Sequence, residues 1–169
     1  MLIVRQPTSN QSPDPGQGGA AVTSPTNTGH ASTAANCGGE LCTDVFTCIW
    51  TGFQTVGGAK TGIVLKVTHT SSGSLSGVTA ANTFTVEYSL NGGGSWNTAV
   101  SRVNFTTSEG PTVFSVALSA AQDISQVQVR DLIQAVTDSP LGHTSNATAT
   151  ISDIQLEITL QDVAPITIW

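Results

Sequence analysis

Apolar residues at every second position are the feature that most limits what this chain can fold into. They alternate with polar residues over 84–90 and 154–160, and similar short runs recur from Phe46 onward. Side chains of a β-strand point alternately to the two faces of a sheet, so each run predicts a strand with one buried face. β-branched residues dominate these runs, as strands prefer, and no window supports a long helix.

Turn signals separate the runs, most plainly Ser71-Ser72-Gly73-Ser74 and Asn91-Gly92-Gly93-Gly94. The sequence between them predicts about eight strands, at 46–53, 61–70, 82–90, 95–105, 112–118, 125–137, 146–161 and 163–169. Many short strands at regular spacing are typical of a sandwich or barrel, and this number favours a jelly roll over an immunoglobulin-like sandwich. We therefore predict an all-β fold, an antiparallel jelly-roll-like β-sandwich behind a long irregular N-terminal arm.

Residues 1–45 show no periodicity and are rich in Pro, Gly, Ser and Thr. Such a segment buries too little apolar surface to order by itself, so we expect an extended arm that orders on another subunit. The predicted organisation is an arm at 1–45, a β-sandwich domain at 46–162 and an apolar C-terminal tail at 163–169. The tail is expected to dock on the core or on a neighbour, because its apolar side chains gain nothing from exposure to water.

One predicted strand contains a change of phase. Val127 and Val129 share one parity, whereas Leu132 falls on the other, after Arg130 and Asp131. A one-residue slip would turn every later side chain to the opposite face, so the pattern predicts a β-bulge near Arg130-Asp131.

Charge excludes two classes of partner. Charged residues make up 9% of the chain, the net charge is −6, and the five Lys and Arg residues are scattered. A nucleic acid or an anionic membrane surface is bound by clustered cations, so neither is expected as a partner. A surface of hydroxyls and glycine suits a protein that is packed in an assembly or lies outside the cell.

Three cysteines lie close together, Cys37, Cys42 and Cys48, with His30 seven residues upstream of the first. No Cys-x2-Cys pair is present, and three alternatives stay open. They are one disulfide with a free thiol, buried free thiols, and a metal site made by the cysteines and His30. No other cofactor is expected.

Catalytic residues are not predicted. No nucleophile elbow or Cys-His signature occurs, and His69 extends the apolar face of its strand. A glycosidase would need two of the carboxylates to converge, but Glu87 and Glu157 are at solvent-facing positions. The chain is therefore predicted not to be an enzyme. The carboxylates considered are Glu87, Glu109, Asp131, Asp153 and Glu157.

Trp50, Trp96 and Trp169 are the aromatics that could serve a ligand or an interface, although Trp50 and Trp96 could instead plug the ends of the sandwich. The segment Ser89-Leu90-Asn91-Gly92-Gly93-Gly94-Ser95-Trp96 resembles the Asp box of sialidase-type propellers, with Asn91 at the usual Asp position. The resemblance implies a hairpin turn whose polar side chain bonds the loop backbone. A propeller would need repeated copies, and the chain has one.

Taken together, the acidic charge-poor sandwich, the Pro/Gly-rich arm and the apolar tail resemble the small β-sandwich structural proteins of tailed-phage virions, of the cement, decoration or tail-fibre type. This resemblance implies a non-enzymatic virion protein, assembled in the host cytoplasm. Its partners would be further copies of the chain and a major structural protein, strapped together by the arm. The alternative is a carbohydrate- or surface-binding module, extracellular or at a fibre tip, whose partner is a glycan.

Overall fold

The computed structural model describes residues 1–11, 34–35, 41–77, 80–138 and 144–162. In it the short alternating runs of the sequence form long antiparallel strands. A three-residue 3-10 helix, Ile124–Gln126, begins after the capping residue Asp123. Among the described residues, no helix has the length and apolar character needed to cross a bilayer. The strands are β1 Leu2–Arg5, β2 Ser9–Gln11, β3 Ala34–Ala35, β4 Leu41–Thr51, β5 Lys60–Ser76, β6 Ala81–Ser89, β7 Asn97–Val103, β8 Glu109–Leu118, β9 Gln128–Asp138 and β10 Thr144–Leu160.

The strands form two antiparallel sheets. Sheet A has the order β1-β10-β5-β8, with β3 also paired to β10, and sheet B has the order β2-β4-β9-β6-β7. From β4 to β10 the chain changes sheet at every connection except the one between β6 and β7. Such crossing connections characterise jelly rolls, and the all-β sandwich predicted from the sequence is confirmed.

The core lies between the two sheets and is built from the predicted apolar faces. β5 contributes Ile63, Leu65 and Val67, all at most 1% exposed, and the inward residues of β4, β6, β9 and β10 pack against them. Burial of each large side chain stabilises the fold by about 1.5–3 kcal/mol. The largest buried side chains include Trp50, Phe53, Phe84, Ile133, Leu156 and Ile158.

Seven of the eight predicted strands correspond to β4 through β10, and the eighth, at 163–169, lies outside the described residues. Two details differ. β4 begins at Leu41, earlier than predicted, because it pairs with β9 from Leu41 opposite Asp138. The turn predicted at 71–74 is wrong, because β5 continues in register with β10 as far as Ser76 opposite Thr144. Gly73 lets β5 pass close to Phe105 there, since a Cβ at this position would lie 2.7 Å from the Phe105 carbonyl oxygen.

The bulge predicted near Arg130-Asp131 is also wrong. β9 pairs with β4 and with β6 through this region without any shift of register. Asp131 keeps the parity of Val129 and Ile133 and lies fully buried in the core, whereas Leu132 points outward. The strand can hold a polar residue inward because the Cys48 backbone N–H donates to Asp131 Oδ1 at 3.0 Å.

The first eleven residues pair with the chain's own sandwich. β1 adds to β10 at one edge of sheet A, and β2 adds to β4 at one edge of sheet B. The Met1 ammonium also lies 3.1 Å from the Asp162 carboxylate. Most of the predicted arm, residues 12–33 and 36–40, falls outside the described residues, so its role as a strap stays a prediction.

Candidate ligand-binding surface

The loop between β6 and β7 is organised by two short polar side chains. Ser89 Oγ accepts hydrogen bonds from the backbone N–H groups of Asn91 and Gly93, at 3.3 and 2.9 Å. Asn91 Oδ1 accepts from the Ser95 backbone N–H at 2.9 Å, and Asn91 Nδ2 donates to Ser95 Oγ at 3.0 Å. Asn91 thus bonds the loop backbone, as the resemblance to an Asp box implied.

The same loop places Trp96 on the outer face of sheet B. Gly92 and Gly93 have φ angles of 69° and 92°, which glycine adopts without strain, and they turn the chain tightly before Trp96. The half-buried Trp96 ring lies against the Arg130 guanidinium, whose carbon is 4.1 Å from the ring centroid. Trp96 therefore does not plug an end of the sandwich, as one interpretation of the sequence had it.

Arg130 is held from the other side by Glu87. The two residues lie opposite each other in the ladder of β6 and β9, and Arg130 Nε is 2.6 Å from Glu87 Oε2. Their side chains are 31% and 21% exposed, so the ion pair contributes at most about 1 kcal/mol to stability. Its larger effect is on order, because it fixes the guanidinium under the indole ring. We name Trp96, Arg130 and Glu87 the Trp96 platform.

Hydroxyl groups continue the same sheet face beyond Glu87. Thr85 lies two residues before Glu87 on the same face of β6, with Ser101 of β7 opposite it. An indole ring stacks on the C–H face of a ring-shaped ligand, and a paired guanidinium and carboxylate offer directional donors and acceptors. The arrangement therefore suits a flat ligand that carries many hydroxyl groups.

A polar depression of about 210 Å³ lies on the outer face of sheet A, where β8 begins. We name it the Glu109 depression. Arg102 Nε reaches the Glu109 carboxylate at 3.0 Å, and the same guanidinium donates to Ser71 Oγ at 2.7 Å. The lining is mostly hydroxyl-bearing and includes Thr70, Ser72, Ser108, Glu109, Thr148 and Thr150.

The structure does not bring the five candidate carboxylates together. Asp131 lies in the core, and burial raises its pKa well above the ordinary value of 3.8. Glu87 is on the outer face of sheet B and pairs with Arg130, whereas Glu157 is on the outer face of sheet A, 2.6 Å from Lys66 Nζ. Glu109, at the depression, pairs with Arg102. Asp153 accepts a hydrogen bond from Gln6 Nε2 at 3.0 Å.

The nucleophilic and basic side chains of the core are unsuited to catalysis. Burial, together with the negative charge that Asp131 carries once it is ionised, raises the pKa of the Cys48 thiol to about 12. His69 is 1% exposed and lies beside Phe84, with ring centroids 5.6 Å apart. Burial lowers the pKa of His69, which favours the neutral imidazole.

The remaining predicted site residues are in different parts of the molecule. Trp50 is a core residue of β4, and Trp169 lies outside the described residues. Cys48 is a free thiol, so a disulfide between Cys37 and Cys42 stays a prediction. The metal site with His30 is also a prediction. Within the ranges that the structure describes, no group of three or more His, Cys, Asp or Glu side chains could hold a metal ion.

Sequence reasoning considered Glu87 and Glu109 only as catalytic carboxylates and missed the ion pairs at both sites. Arg130 and Glu87 each show the parity of an outward side chain, but only the pairing of β6 with β9 makes them neighbours. Arg102 and Glu109 lie on β7 and β8, in different sheets. No local pattern marks either pair, because the first depends on the pairing of strands distant in the chain and the second on how the chain crosses from sheet B to sheet A between β7 and β8.

Comparison with known proteins assigns no family to the chain. No protein-family model matches it, and no curated protein matches it either. Among solved structures, it has a likeness to TmCBM61, a carbohydrate-binding module solved in complex with β-1,4-galactotriose, with 9% sequence identity and a TM-score of 0.34. The likeness covers 88% of this chain and 86% of the other. A TM-score this low supports no inference about function.

Proposed function

We propose that the chain is a non-catalytic carbohydrate-binding module and that the Trp96 platform is its glycan site. The observation that carries the proposal is the Trp96 ring stacked on an Arg130 guanidinium that is itself paired with Glu87. The platform lies on a sheet face that otherwise presents hydroxyl, amide and aliphatic side chains. Glycan recognition needs this combination, an aromatic face for the C–H groups and directional polar atoms for the hydroxyls.

Ordered side chains support the proposal further. The Trp96 loop is held by the Ser89 and Asn91 side chains, and Arg130 is held between Glu87 and the indole ring. A ligand that docks on groups already in place avoids the entropy cost of ordering them. A catalytic role has little support, because the described carboxylates are dispersed and the Cys48 thiol is buried with a raised pKa.

A glycan microarray, followed by affinity electrophoresis in gels of the best polysaccharide, tests the proposal. We expect Trp96→Ala to weaken binding at least about tenfold, equivalent to about 1.4 kcal/mol, because the stacking surface is lost. Trp96→Phe, which keeps a smaller ring, should lie between wild type and Trp96→Ala. Arg130→Met should also weaken binding, since it removes both the guanidinium under the ring and its hydrogen bonds.

Lys66→Met is the matched control. Lys66 and Glu157 form a cross-strand ion pair at the same 2.6 Å distance, but on the outer face of sheet A, and no aromatic ring of the described residues stacks on it. This variant should bind like wild type. Equal loss of binding in Lys66→Met and Arg130→Met, or wild-type binding by Trp96→Ala, would show that the Trp96 platform is not the site.

A second candidate function is the structural role in a virion-like assembly. It is favoured by an apolar strip along β1, where Met1, Leu2 and Val4 are 65%, 60% and 45% exposed. A surface of exposed apolar side chains suits contact with another protein, which for this candidate is a neighbouring subunit. This candidate implies a location in the virion and a role of the arm as a strap between subunits. The carbohydrate-binding module implies an extracellular location.

A further inference from the structure

The outer face of sheet A, opposite the Trp96 platform, carries the Glu109 depression. We infer that this depression is a second binding site, for one neutral polyhydroxyl unit of the size of a single pyranose ring. The class of ligand rests on the proposed function, whereas the existence and location of the site rest on the geometry of the depression.

The floor of the Glu109 depression is a square of hydroxyl groups. Thr70 lies opposite Thr150, and Ser72 lies opposite Thr148, in the ladder between β5 and β10. Side chains directly opposite each other are about 5 Å apart, and those two residues along a strand are about 7 Å apart. Four hydroxyls at these spacings can donate to or accept from several hydroxyls of one sugar ring.

The volume also fits one small ring. The depression measures about 210 Å³. That is many times the roughly 10–15 Å³ that one buried water needs, and it lies below the roughly 300–1,000 Å³ of pockets for drug-sized ligands. A single polar ring is therefore a better match than a water molecule or a large ligand.

The charge balance of the depression favours a neutral ligand. Glu109 is the charged residue of the lining, and its carboxylate lies 3.0 Å from Arg102 Nε. The same guanidinium bonds Ser71 Oγ, which has the inward parity of β5, so the ion pair lies toward the interior of the sandwich and offers no free charge to an ion beside the hydroxyl square. The lining contains no aromatic residue and a single apolar side chain, the buried Ala149.

The rim of the depression is held in place before a ligand arrives. The Arg102 guanidinium joins Glu109 of β8 to the Ser71 carbonyl and hydroxyl of β5, at 3.3 and 2.7 Å. Gly110 has a φ of 102°, and a Cβ there would lie 2.5 Å from the His69 carbonyl oxygen. β8 therefore approaches β5 as closely as glycine alone permits, and the rim loses little entropy when a ligand binds.

Two sites on opposite outer faces make one chain bivalent. The sheets of a sandwich lie about 10 Å apart, so ligands on the two outer faces are separated by the whole core. Each site would engage a different glycan chain, and the module would cross-link them. Cross-linking needs no oligomer and no contact between copies of the protein.

Amide chemical-shift mapping of the full-length ¹⁵N-labelled chain, titrated with the methyl pyranosides of glucose, galactose and mannose, tests the inference. We expect saturable shifts at 70–72, 108–110 and 148–150 for at least one of the three sugars. Thr148→Val/Thr150→Val keeps the β-branched shape and removes two floor hydroxyls, so it should weaken binding there at least about tenfold. Thr159→Val, on the same face of β10 but outside the depression, is the matched control.

The pattern of shifts separates this inference from the proposed function. Shifts at both the depression and the Trp96 platform support both. Shifts at the platform alone overturn the second site and leave the proposed function standing. Shifts at the depression alone overturn the platform as the glycan site and keep the inference. No saturable shift with any of the three sugars overturns the inference, and the microarray then decides the platform separately. The shift map of the wild-type chain distinguishes these outcomes by itself. The inference therefore remains testable even if Thr148→Val/Thr150→Val does not fold.

Discussion

Asp131 shows how one residue can contradict a local pattern without disturbing the strand that carries it. The sequence places a carboxyl group at a position of inward parity and Leu132 at one of outward parity, and a slip of register was predicted from the position of Leu132. In the structure the carboxyl group stays inside, accepts a hydrogen bond from the Cys48 N–H at 3.0 Å, and has a raised pKa. Burying a neutral, hydrogen-bonded carboxyl group costs less than a bulge that would turn Ile133 and Ala135 out of the core.

Asp131 should make stability depend on pH. Below the ordinary carboxyl pKa of 3.8 both the folded and the unfolded chain hold the proton. Above it the unfolded chain releases the proton while the folded chain keeps it, so the free energy of unfolding falls as pH rises, by up to about 1.4 kcal/mol per pH unit, until the folded pKa is passed. Asp131→Asn keeps the acceptor for Cys48 and does not titrate. We therefore expect its advantage over wild type to grow from pH 4 to pH 7.

Urea unfolding across this pH range measures the effect. Asp153→Asn is the control, because it removes one carboxyl group from the surface of sheet A and so changes the net charge by the same amount as Asp131→Asn. Parallel pH profiles for wild type and Asp131→Asn would mean that Asp131 is already ionised in the folded protein.

Cys48 should resist alkylation in the folded protein. A rise of its pKa from 9.0 to about 12 lowers the thiolate fraction about 1,000-fold at pH 8, and the thiolate is the nucleophile. In a Cys37→Ser/Cys42→Ser background, iodoacetamide should therefore modify the native chain far more slowly than the chain in urea. Mass spectrometry over time gives both rates, and similar rates would contradict the buried, protonated thiol.

At the scale of elements, two polar side chains join strands of the two sheets. Asn82 of β6 accepts from the Phe105 N–H at 2.8 Å and donates to the carbonyls of Phe105 and Asn146 at 3.0 and 2.8 Å. It thereby ties the β7–β8 connection and β10 to sheet B. Arg102 of β7 does the same toward β5 and β8, and its guanidinium also lies 4.4 Å from the Phe105 ring centroid.

Arg102→Met should lower the free energy of unfolding by about 2 kcal/mol, because it removes the link between β7 and sheet A and leaves Glu109 without its cation. The loss is smaller than the roughly 3–5 kcal/mol of a fully buried pair, since the Glu109 side chain is 40% exposed. Arg130→Met is the matched control. Its ion pair joins neighbouring strands on one outer face, and its removal should cost less than about 1 kcal/mol in urea unfolding. Equal losses in the two variants would contradict the linking role of Arg102.

For the whole molecule, the first eleven residues supply one short edge strand to each sheet. β1 pairs with residues 156–159 of β10 and β2 with residues 49–51 of β4, and β8 and β7 are the outer strands on the opposite side. Long uncovered edges promote pairing with other chains, so replacing part of two of them by short strands of the chain's own N-terminus favours a discrete molecule. An assembly would then form through other surfaces, such as the apolar strip of β1.

Deletion of residues 1–11 should lower the melting temperature by about 4 °C or more and promote association through the uncovered edges of β10 and β4. The melting temperature of the full chain should not change over a hundredfold dilution, because the pairing is within one chain. Thermal scans with light scattering at several concentrations measure both. A melting temperature that falls on dilution would mean that β1 and β2 come from a neighbouring subunit, and it would favour the assembly candidate.

The sequence by itself determined which segments are strands and which face of most of them is buried. Alternation is a local property, so β4 to β10 could be located and Glu87 and Glu157 assigned to the outer faces before any fold was known. The conformation of the loop around Asn91 is equally local, since the hydrogen bonds that hold it span no more than four residues.

Only the tertiary structure decided how the strands are paired, and both candidate sites depend on that. Trp96 meets Arg130, and Arg130 meets Glu87, because β6 lies beside β9, although 43 positions separate the ion pair in the chain. The hydroxyl square needs β5 beside β10, and the continuation of β5 through 71–74 needs the same partner. The inward position of Asp131 likewise depends on the Cys48 N–H of β4. Local periodicity determines how a strand is oriented, but the choice of neighbour comes from burial and hydrogen bonds that form between distant segments only when the two sheets close on each other.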